Sequence, residues 1–256
     1  MYLTRPVHTP GFLTQYTIGI EYFVTRHESL PNWAQYIPFV HGIHLPYAGL
    51  NLAALDDRVR RQSIDTVKAA IDVGVRFPVD RMVMHSMGIR SKAGVVLGTY
   101  ERMIDSIAQL ADYAASRNIT LCIENQALHV PGLERFGTTA ESWLQIPGDV
   151  NRSNVLLTLD SSHAATAAAV LETAEERFAY LYRFLAYPEL IGRVHWSDSR
   201  LGNNEAFMKD MHLVPGEGDL PRDFHQKIKA LPVLKTLEQT RPEADMIRGL
   251  EFIESL

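Results

Sequence analysis

Side chains that can bind metal recur in this sequence at the ends of short apolar segments. Six segments end this way, and in chain order their polar residues are His44, His85, Glu124, Asp160 with His163, His195, and Glu238. Imidazole nitrogens combined with carboxylate oxygens suit Zn, Mn, Fe or Co, whereas a purely oxygen-based set would suit Mg or Ca. The pattern therefore predicts a divalent-metal site, with Zn or Mn as the expected ion.

A later loop, KDMHLVPGEGD, adds two candidates. Asp210 and His212 are two residues apart, so their side chains point the same way if the segment is extended. With them the set has nine residues, which exceeds the needs of one tetrahedral or octahedral ion. Either two or three ions bind, or some of the nine contact substrate or transfer protons.

Each candidate also has a purely structural interpretation. A single strand-end histidine is more often a hydrogen-bonded structural residue, since His is intermediate in burial. Glu124 and Asp160 carry more weight, because a carboxylate at the end of a buried strand must be paired or metal-bound. Glu238 has Arg241 nearby as a possible ion-pair partner.

Other polar residues receive weaker assignments. Arg200 is a candidate for binding a substrate phosphate or carboxylate, although a solvated loop arginine is the more common interpretation. Trp196 directly follows His195 and is expected to face the opposite way, between the strands and the helices. No role is assigned to the remaining histidines, which are His8, His27, His41, His129 and His225.

The segments that carry these residues alternate with stretches of helical periodicity, which is typical of repeated βα units and a parallel sheet. The predicted strands are Tyr2–Val7, Ile18–Phe23, Gly42–Leu45, Met82–His85, Leu121–Glu124, Val155–Asp160, Gly192–His195 and Leu234–Glu238. The predicted helices are Asp56–Val73, Thr99–Arg117, Ala164–Ala186 and Pro221–Ala230. With 256 residues, the pattern predicts an α/β fold, a (β/α)8 TIM barrel, as one domain over residues 1–256.

The first βα unit is abbreviated. Only Thr9–Thr17 separates the first two predicted strands, which is too short for a full crossover helix. Either that helix is missing or the first predicted strand is wrong.

Composition narrows the classes of function. The 25 Lys and Arg against 30 Asp and Glu give a net charge of −5, so no general affinity for nucleic acid is expected, though a local basic patch is not excluded. Cys122 is the only cysteine, which rules out an intrachain disulfide or a zinc site built on cysteines. Without a signal-peptide pattern or a long apolar run, we expect a cytoplasmic protein with no membrane partner.

Six short motifs in a fixed order resemble the xylose isomerase-like TIM-barrel superfamily. They are HLPYAGLNL, IENQA, LDSSHA, HWSDSR, HLVPGEGD and LEQTRP, and the resemblance extends from Ile18 to Pro242. This superfamily groups sugar isomerases and epimerases with apurinic-site nucleases of the endonuclease IV type (AP endonuclease family 2). The resemblance implies a TIM barrel with divalent metal at its mouth.

Similarity to the isomerase and epimerase branch implies one metal ion bound by Glu124, Asp160, His195 and Glu238, with His163 contacting substrate. Glu124 and Glu238 would then be the catalytic base and acid on either side of an enediolate. The substrate would be a small sugar or sugar derivative.

Similarity to the nuclease branch extends further. The nine residues named above all fall where that family places the ligands of three zinc ions, which implies hydrolysis of a phosphodiester. DNA is a possible partner only under this alternative.

Two departures oppose the nuclease alternative. The first βα loop is cut short, and the basic residues are scattered, with only Arg58, Arg60 and Arg61 close together on a predicted helix. A metal-dependent sugar isomerase or epimerase is therefore the leading prediction, and a multi-zinc phosphoesterase is the second. A non-catalytic metal- or ligand-binding barrel is the third, which the intact Glu124 and Glu238 pair disfavours.

Overall fold

A computed structural model of the chain describes residues 1–4, 8–24, 34–128, 132–202, 210–239 and 243–256. Eight parallel strands close into a barrel: β1 (Tyr2–Thr4), β2 (Ile18–Phe23), β3 (Val40–His44), β4 (Arg81–His85), β7 (Thr120–Glu124), β9 (Val155–Asp160), β10 (Ile191–Trp196) and β11 (Lys235–Leu237). They neighbour one another in that order, and β11 pairs with β1 to complete the circle. The predicted (β/α)8 architecture is confirmed.

Helices follow the strands around the barrel. In the part of the chain that the structure describes, they are α1 (Pro10–Tyr16), α2 (Asp57–Gly74), α3 (Tyr100–Ala115), α4 (Ala140–Leu144), α5 (Ile146–Val150), α6 (Ser161–Ala168), α7 (Ala174–Arg183), α8 (Arg222–Ala230) and α9 (Glu243–Glu254). Short 3₁₀ turns occur at Ile37–Phe39 and Pro188–Leu190. None of the helices in these ranges is both long enough and apolar enough to cross a membrane.

The first βα unit contains both the strand and the helix whose presence the sequence left open. β1 lies between β11 and β2, so the first predicted strand is correct over Tyr2–Thr4; its predicted extension to Val7 falls outside the described residues. The helix is not missing either, because α1 forms two turns. Its N-terminus is capped by the Thr9 side chain, and it ends at Thr17, which has a left-handed backbone conformation.

The prediction of one long helix over Ala164–Ala186 is wrong. Helix α6 ends at Ala168, and α7 begins after Thr173, whose side chain forms a reciprocal capping box with Glu176. A capping box satisfies backbone N–H groups that would otherwise need partners in a preceding helical turn, so it favours the start of a second helix at this position.

A second, three-stranded sheet was not predicted. It consists of β5 (Ile89–Lys92), β6 (Val95–Val96) and β8 (Leu133–Arg135), with β5 in the middle and antiparallel to both neighbours. Its strands lie in the segments that follow β4 and β7, at the C-terminal end of the barrel. This sheet therefore forms part of the barrel mouth.

Apolar stripes on the longer helices pack against the barrel. Ile64, Val67 and Ile71 of α2 are buried at spacings of three and four residues, as the sequence predicts. Complete burial of such a side chain stabilises the fold by about 1.5–3 kcal/mol. Trp196 is also fully buried, and its indole contacts His225 of α8 on the outer side of β10, as predicted.

Candidate metal centre

Strand register brings the polar strand ends to a common level. His85 of β4 is paired in register with Glu124 of β7, and Asp160 of β9 with His195 of β10. Parallel strands in a closed barrel all end at the same mouth, so side chains far apart in sequence meet there. The cluster is thus a direct product of the barrel register.

The structure gathers all nine candidates into one continuous cluster. Three groups have potential ligand atoms within 4.8 Å of one another: His44, Glu124 and His195; Glu124, Asp160, His195 and Glu238; and Asp160, His163 and His212. The two other candidates adjoin them, since His85 lies 3.1 Å from Glu124 and Asp210 lies 3.1 Å from His163. Neighbouring groups share Glu124, His195 or Asp160.

Glu124 lies at the centre, and its two carboxylate oxygens face different imidazoles. Oε2 is 3.2 Å from Nε2 of His44 and 3.1 Å from Nε2 of His85. Oε1 is 3.2 Å from Nδ1 of His195 and 3.4 Å from Nδ1 of His163. Each carboxylate oxygen of Glu124 therefore faces its own pair of imidazole nitrogens.

Backbone carbonyls orient two of the imidazoles. The Nδ1–H of His44 donates to the carbonyl oxygen of Leu45 at 2.8 Å, which leaves Nε2 directed at Glu124. His163 Nδ1 is 2.7 Å from the carbonyl oxygen of Asn125, and its Nε2 faces Asp210. Such partners fix the ring orientation and leave the second nitrogen available as a ligand.

Asp160 has a buried oxygen without a donor. Its Oδ1 accepts the backbone N–H of His163 and so caps helix α6, while no hydrogen-bond donor among the described residues reaches Oδ2. The side chain is completely buried. A buried carboxylate oxygen without a donor is costly unless a cation is bound.

The sequence did not identify Glu21 as part of the cluster. It lies in the middle of β2, in register with Gly42 of β3, and its Oε2 is 2.7 Å from Nε2 of His195. A Cβ atom at position 42 would lie 3.2 Å from Glu21, so the glycine leaves room for the carboxylate. The only signal in the sequence was an acidic residue in a strand that is otherwise apolar.

The loop that carries Asp210 and His212 is held by a second buried network. Asp198 accepts the backbone N–H groups of Gly216 and Leu220 and lies 3.2 Å from Nε2 of His225. The Trp196 indole N–H donates to Nδ1 of His225 at 2.9 Å. His225, for which no role was predicted, therefore anchors this loop to α8.

Asp210 and His212 form the outer edge of the cluster. Asp210 Oδ2 is 2.7 Å from Nε2 of His212 and 3.1 Å from Nε2 of His163. His212 has a φ of 44°, a left-handed conformation that is unusual for a residue other than glycine. Such backbone conformations concentrate at functional sites.

Neighbouring charges and burial shift the pKa values of the side chains in the cluster. Burial opposes ionisation of Glu124, but His85 and His195 hold its pKa well below the usual range. Burial raises the pKa of Asp160 to about 7. Burial lowers the pKa of His195, but Glu21 and Glu238 outweigh it and raise that pKa well above its ordinary value.

Nearby carboxylates also raise the pKa values of the histidines at the outer edge of the cluster. Burial disfavours the charged form of His163, yet Asp160 and Asp210 raise its pKa well above 6.5. For His212, Glu238 and Asp210 overcome burial and raise the pKa to about 9. Carboxylates therefore favour the protonated form of His163 and His212, whereas burial lowers the pKa of His85.

These features fit divalent metal. The donors are imidazole nitrogens and carboxylate oxygens, which match zinc or manganese, and Asp160 offers an oxygen that no donor uses among the described residues. The residues expected to hold metal are the nine predicted from the sequence, with Glu21 positioned behind His195.

Arg200 does not join the cluster. Its guanidinium forms an ion pair with Asp219 at 2.7 Å, and no contact with the nine residues is present in the described parts of the chain. Its contact with substrate stays a prediction. Among the other histidines, His8 stacks on Phe12, whereas His27 and His129 lie outside the described residues.

The closed barrel of eight parallel strands, with a polar cluster at its mouth, is a TIM-barrel fold. The chain matches the family described as xylose isomerase-like TIM barrel over residues 33–256, and it belongs to that family. Part of the chain is also 26% identical to the uncharacterized protein MJ1311 of Methanocaldococcus jannaschii. That match extends over 135 residues, which is 52% of this chain and only 45% of the relative.

Solved structures with the same fold include a D-tagatose 3-epimerase-like protein, with 20% identity, a TM-score of 0.67, and coverage of 96% of this chain and 79% of the other. The IolI protein with a bound zinc atom has 20% identity and a TM-score of 0.67, with coverage of 100% and 95%. Endonuclease IV from Thermus thermophilus has 18% identity, a TM-score of 0.66 and coverage of 100% of both chains. At these identities the likeness shows the fold alone.

Proposed function

We propose that this protein is a phosphoesterase that uses two or three divalent metal ions, with zinc as the expected ion. The observation that carries the proposal is the position of Glu124. Its Oε2 faces His44 and His85, while its Oε1 faces His195 and His163. A single ion on the Oε1 side would leave His44 and His85, at Oε2, without an ion to bind.

The remaining donors support more than one ion. Asp160 belongs to two of the groups whose potential ligand atoms lie within 4.8 Å of one another, one with His195 and one with His163. Asp210 and His212, whose side chains are 2.7 Å apart, add two further potential ligands at the outer edge of the cluster. In sites with two metal ions, bridging carboxylates of this kind hold the ions close enough to act on one substrate group.

When bound, the ions would make water more acidic and offset negative charge on the phosphoester. The chain's own residues hold the geometry. The carbonyl oxygens of Leu45 and Asn125 set the ring orientations of His44 and His163, and Glu21 contacts the far nitrogen of His195. Because the donors are fixed before substrate arrives, little reorganisation is required during the reaction.

A second candidate function, isomerisation or epimerisation of a small sugar, is favoured by a different observation. Oε1 of Glu124 and Oε2 of Glu238 each lie 3.2 Å from the same atom, Nδ1 of His195. Two carboxylates flanking one ligand position could act as base and acid on adjacent carbons. The D-tagatose 3-epimerase-like neighbour supports this candidate at the level of fold.

The deciding experiment combines metal content with turnover. Elemental analysis of protein purified without chelators or metal-affinity columns should find two or three ions per chain, and the same protein should hydrolyse bis(p-nitrophenyl) phosphate. Glu124→Gln should lose both properties, while Glu217→Gln, a surface carboxylate paired with Arg248, should keep them.

Other results would point elsewhere. One ion per chain together with turnover of a ketose panel would support the isomerase and overturn the phosphoesterase. Cleavage of DNA containing abasic sites would identify a nuclease. A full complement of metal without turnover of any of these substrates would leave a non-catalytic metal-binding barrel.

A further inference from the structure

A cavity of about 410 Å³ opens beside the metal cluster. It lies between the segment that follows β3 and the small three-stranded sheet. Its wall includes Tyr47, His85, Lys92, Gln126, Leu133 and Arg135. A cavity of this size accepts a small molecule and not a folded macromolecule.

The cavity is continuous with the cluster through His85. One side of that residue belongs to the cluster, because Nε2 is 3.1 Å from Oε2 of Glu124. Its ring also stacks on Tyr47, with centroids 4.1 Å apart and planes 5° apart. Gln126, which also lines the cavity, follows Glu124 by two residues, and its side-chain amide donates to the backbone carbonyl oxygen of Glu124 at 3.1 Å. A molecule in the cavity would therefore have one end at the metal cluster.

The charge of the cavity is opposite to that of the carboxylates nearby. Lys92 and Arg135 line it, and none of the described lining residues carries a carboxylate. Neither cation has an ion-pair partner in the ranges that the structure describes. Arg135 is half-buried, and this burial lowers its pKa. A partly desolvated guanidinium without an anion is unfavourable, so an anionic partner would stabilise it.

Side chains of β8 alternate between the two faces of the small three-stranded sheet, and only one of these faces borders the cavity. Leu133 and Arg135 of β8 face the cavity, whereas Glu134 between them faces solvent, where it pairs with Arg90 at 3.8 Å. Both members of that outer pair are 65% exposed. The one acidic residue of β8 is thus directed away from the cavity.

We propose that this cavity binds a phosphate group of the substrate, separate from the group on which the metal cluster acts. The planar guanidinium of Arg135 can donate two parallel hydrogen bonds to phosphate oxygens, and the ammonium of Lys92 adds a second charge at the rim. The substrate class is accordingly a small molecule with a phosphate at one end and the reacting group at the other. Only the identity of the reaction rests on the proposed function above, because the binding of the phosphate does not require it.

Calorimetric titration of the metal-loaded protein with glycerol 3-phosphate, and with glycerol as the neutral counterpart, tests the proposal. Arg135→Gln should weaken binding of glycerol 3-phosphate by about tenfold or more, the loss expected for a charge-assisted hydrogen bond. Lys92→Gln should weaken it as well. Arg90→Gln is the matched control, since it removes a cation from the outer face of the same sheet and should leave binding unchanged.

Two results would overturn the proposal. Equal binding by Arg135→Gln, Lys92→Gln and the unsubstituted protein would mean that the phosphate binds elsewhere, such as on the metal ions. Binding of glycerate that is as tight as that of glycerol 3-phosphate and equally dependent on Arg135 would assign the cavity to a carboxylate. Because the readout is binding, failure of the phosphoesterase proposal would appear separately, as absence of turnover with phosphate binding intact.

Discussion

The Nε2 atom of His195 lies 2.7 Å from Oε2 of Glu21, and both side chains are buried. The other ring nitrogen, Nδ1, is 3.2 Å from Glu124 and 3.2 Å from Glu238. A carboxylate that engages one imidazole nitrogen fixes the ring and makes the other nitrogen a better ligand. Glu21 is therefore a positioning residue for the proposed metal centre.

Substitution of Glu21 tests that relationship. Glu21→Gln should lower metal affinity by about 10- to 100-fold. An amide lacks the negative charge that favours a proton on Nε2 of His195, the state in which Nδ1 is free to bind metal. Competition with a chromogenic chelator measures the affinity. Glu217→Gln serves as control, and unchanged affinity in Glu21→Gln would remove the residue from this role.

The number of ions can be tested at the two edges of the cluster. His85→Ala and Asp210→Asn should each lower the metal content by about one ion per chain without emptying the centre, since each removes a ligand at one edge. Elemental analysis measures the content. Asp219→Asn, on the same loop as Asp210 but paired with Arg200, should leave it unchanged. An unchanged metal content in both edge variants would instead show that neither residue is a ligand, and an unchanged content of one ion per chain would support the single-metal isomerase.

Metal binding should release protons near neutral pH. The pKa values of His163 and His195 are raised well above 6.5, and that of His212 is about 9, so these imidazoles are protonated without metal. Ligand nitrogens must lose those protons when metal binds. A raised pKa means that the protonated form persists until the pH passes it, so apparent affinity should rise as the pH increases toward about 9.

Calorimetry in buffers of different ionisation enthalpy gives the number of protons released. The number should fall as the pH rises above the pKa of His212. A number that is zero near neutral pH would show that these imidazoles are neutral before metal binds.

The network behind the outer loop should affect both stability and metal content. His225→Ala removes the acceptor of the Trp196 indole N–H and a partner of Asp198, which should lower the free energy of unfolding by about 1–3 kcal/mol. Urea denaturation measures the loss. Because Asp198 also holds the turn that follows His212, metal should be lost first from the outer edge of the cluster. Lys227→Ala, an exposed change on the same helix, is the control, and equal stability of the two variants would contradict the prediction.

The sequence determined the barrel and most of the cluster because both depend on local patterns. Apolar runs interrupted by helical periodicity define βα units, and a carboxylate such as Glu124 or Asp160 at the end of an apolar strand is conspicuous. Helix boundaries were less predictable. The capping box at Thr173 divides what apolar periodicity alone suggests is a single helix.

Only the tertiary structure decided how the residues pair. Glu21 lies in the middle of β2, and its contact with His195 depends on barrel closure and on the space left by Gly42. Lys92 and Arg135 meet at one cavity because β5 pairs with β8, although the two residues are far apart in sequence. Strand pairing and register are long-range properties that local sequence does not encode, since a shift of one residue would turn each of these side chains to the opposite face.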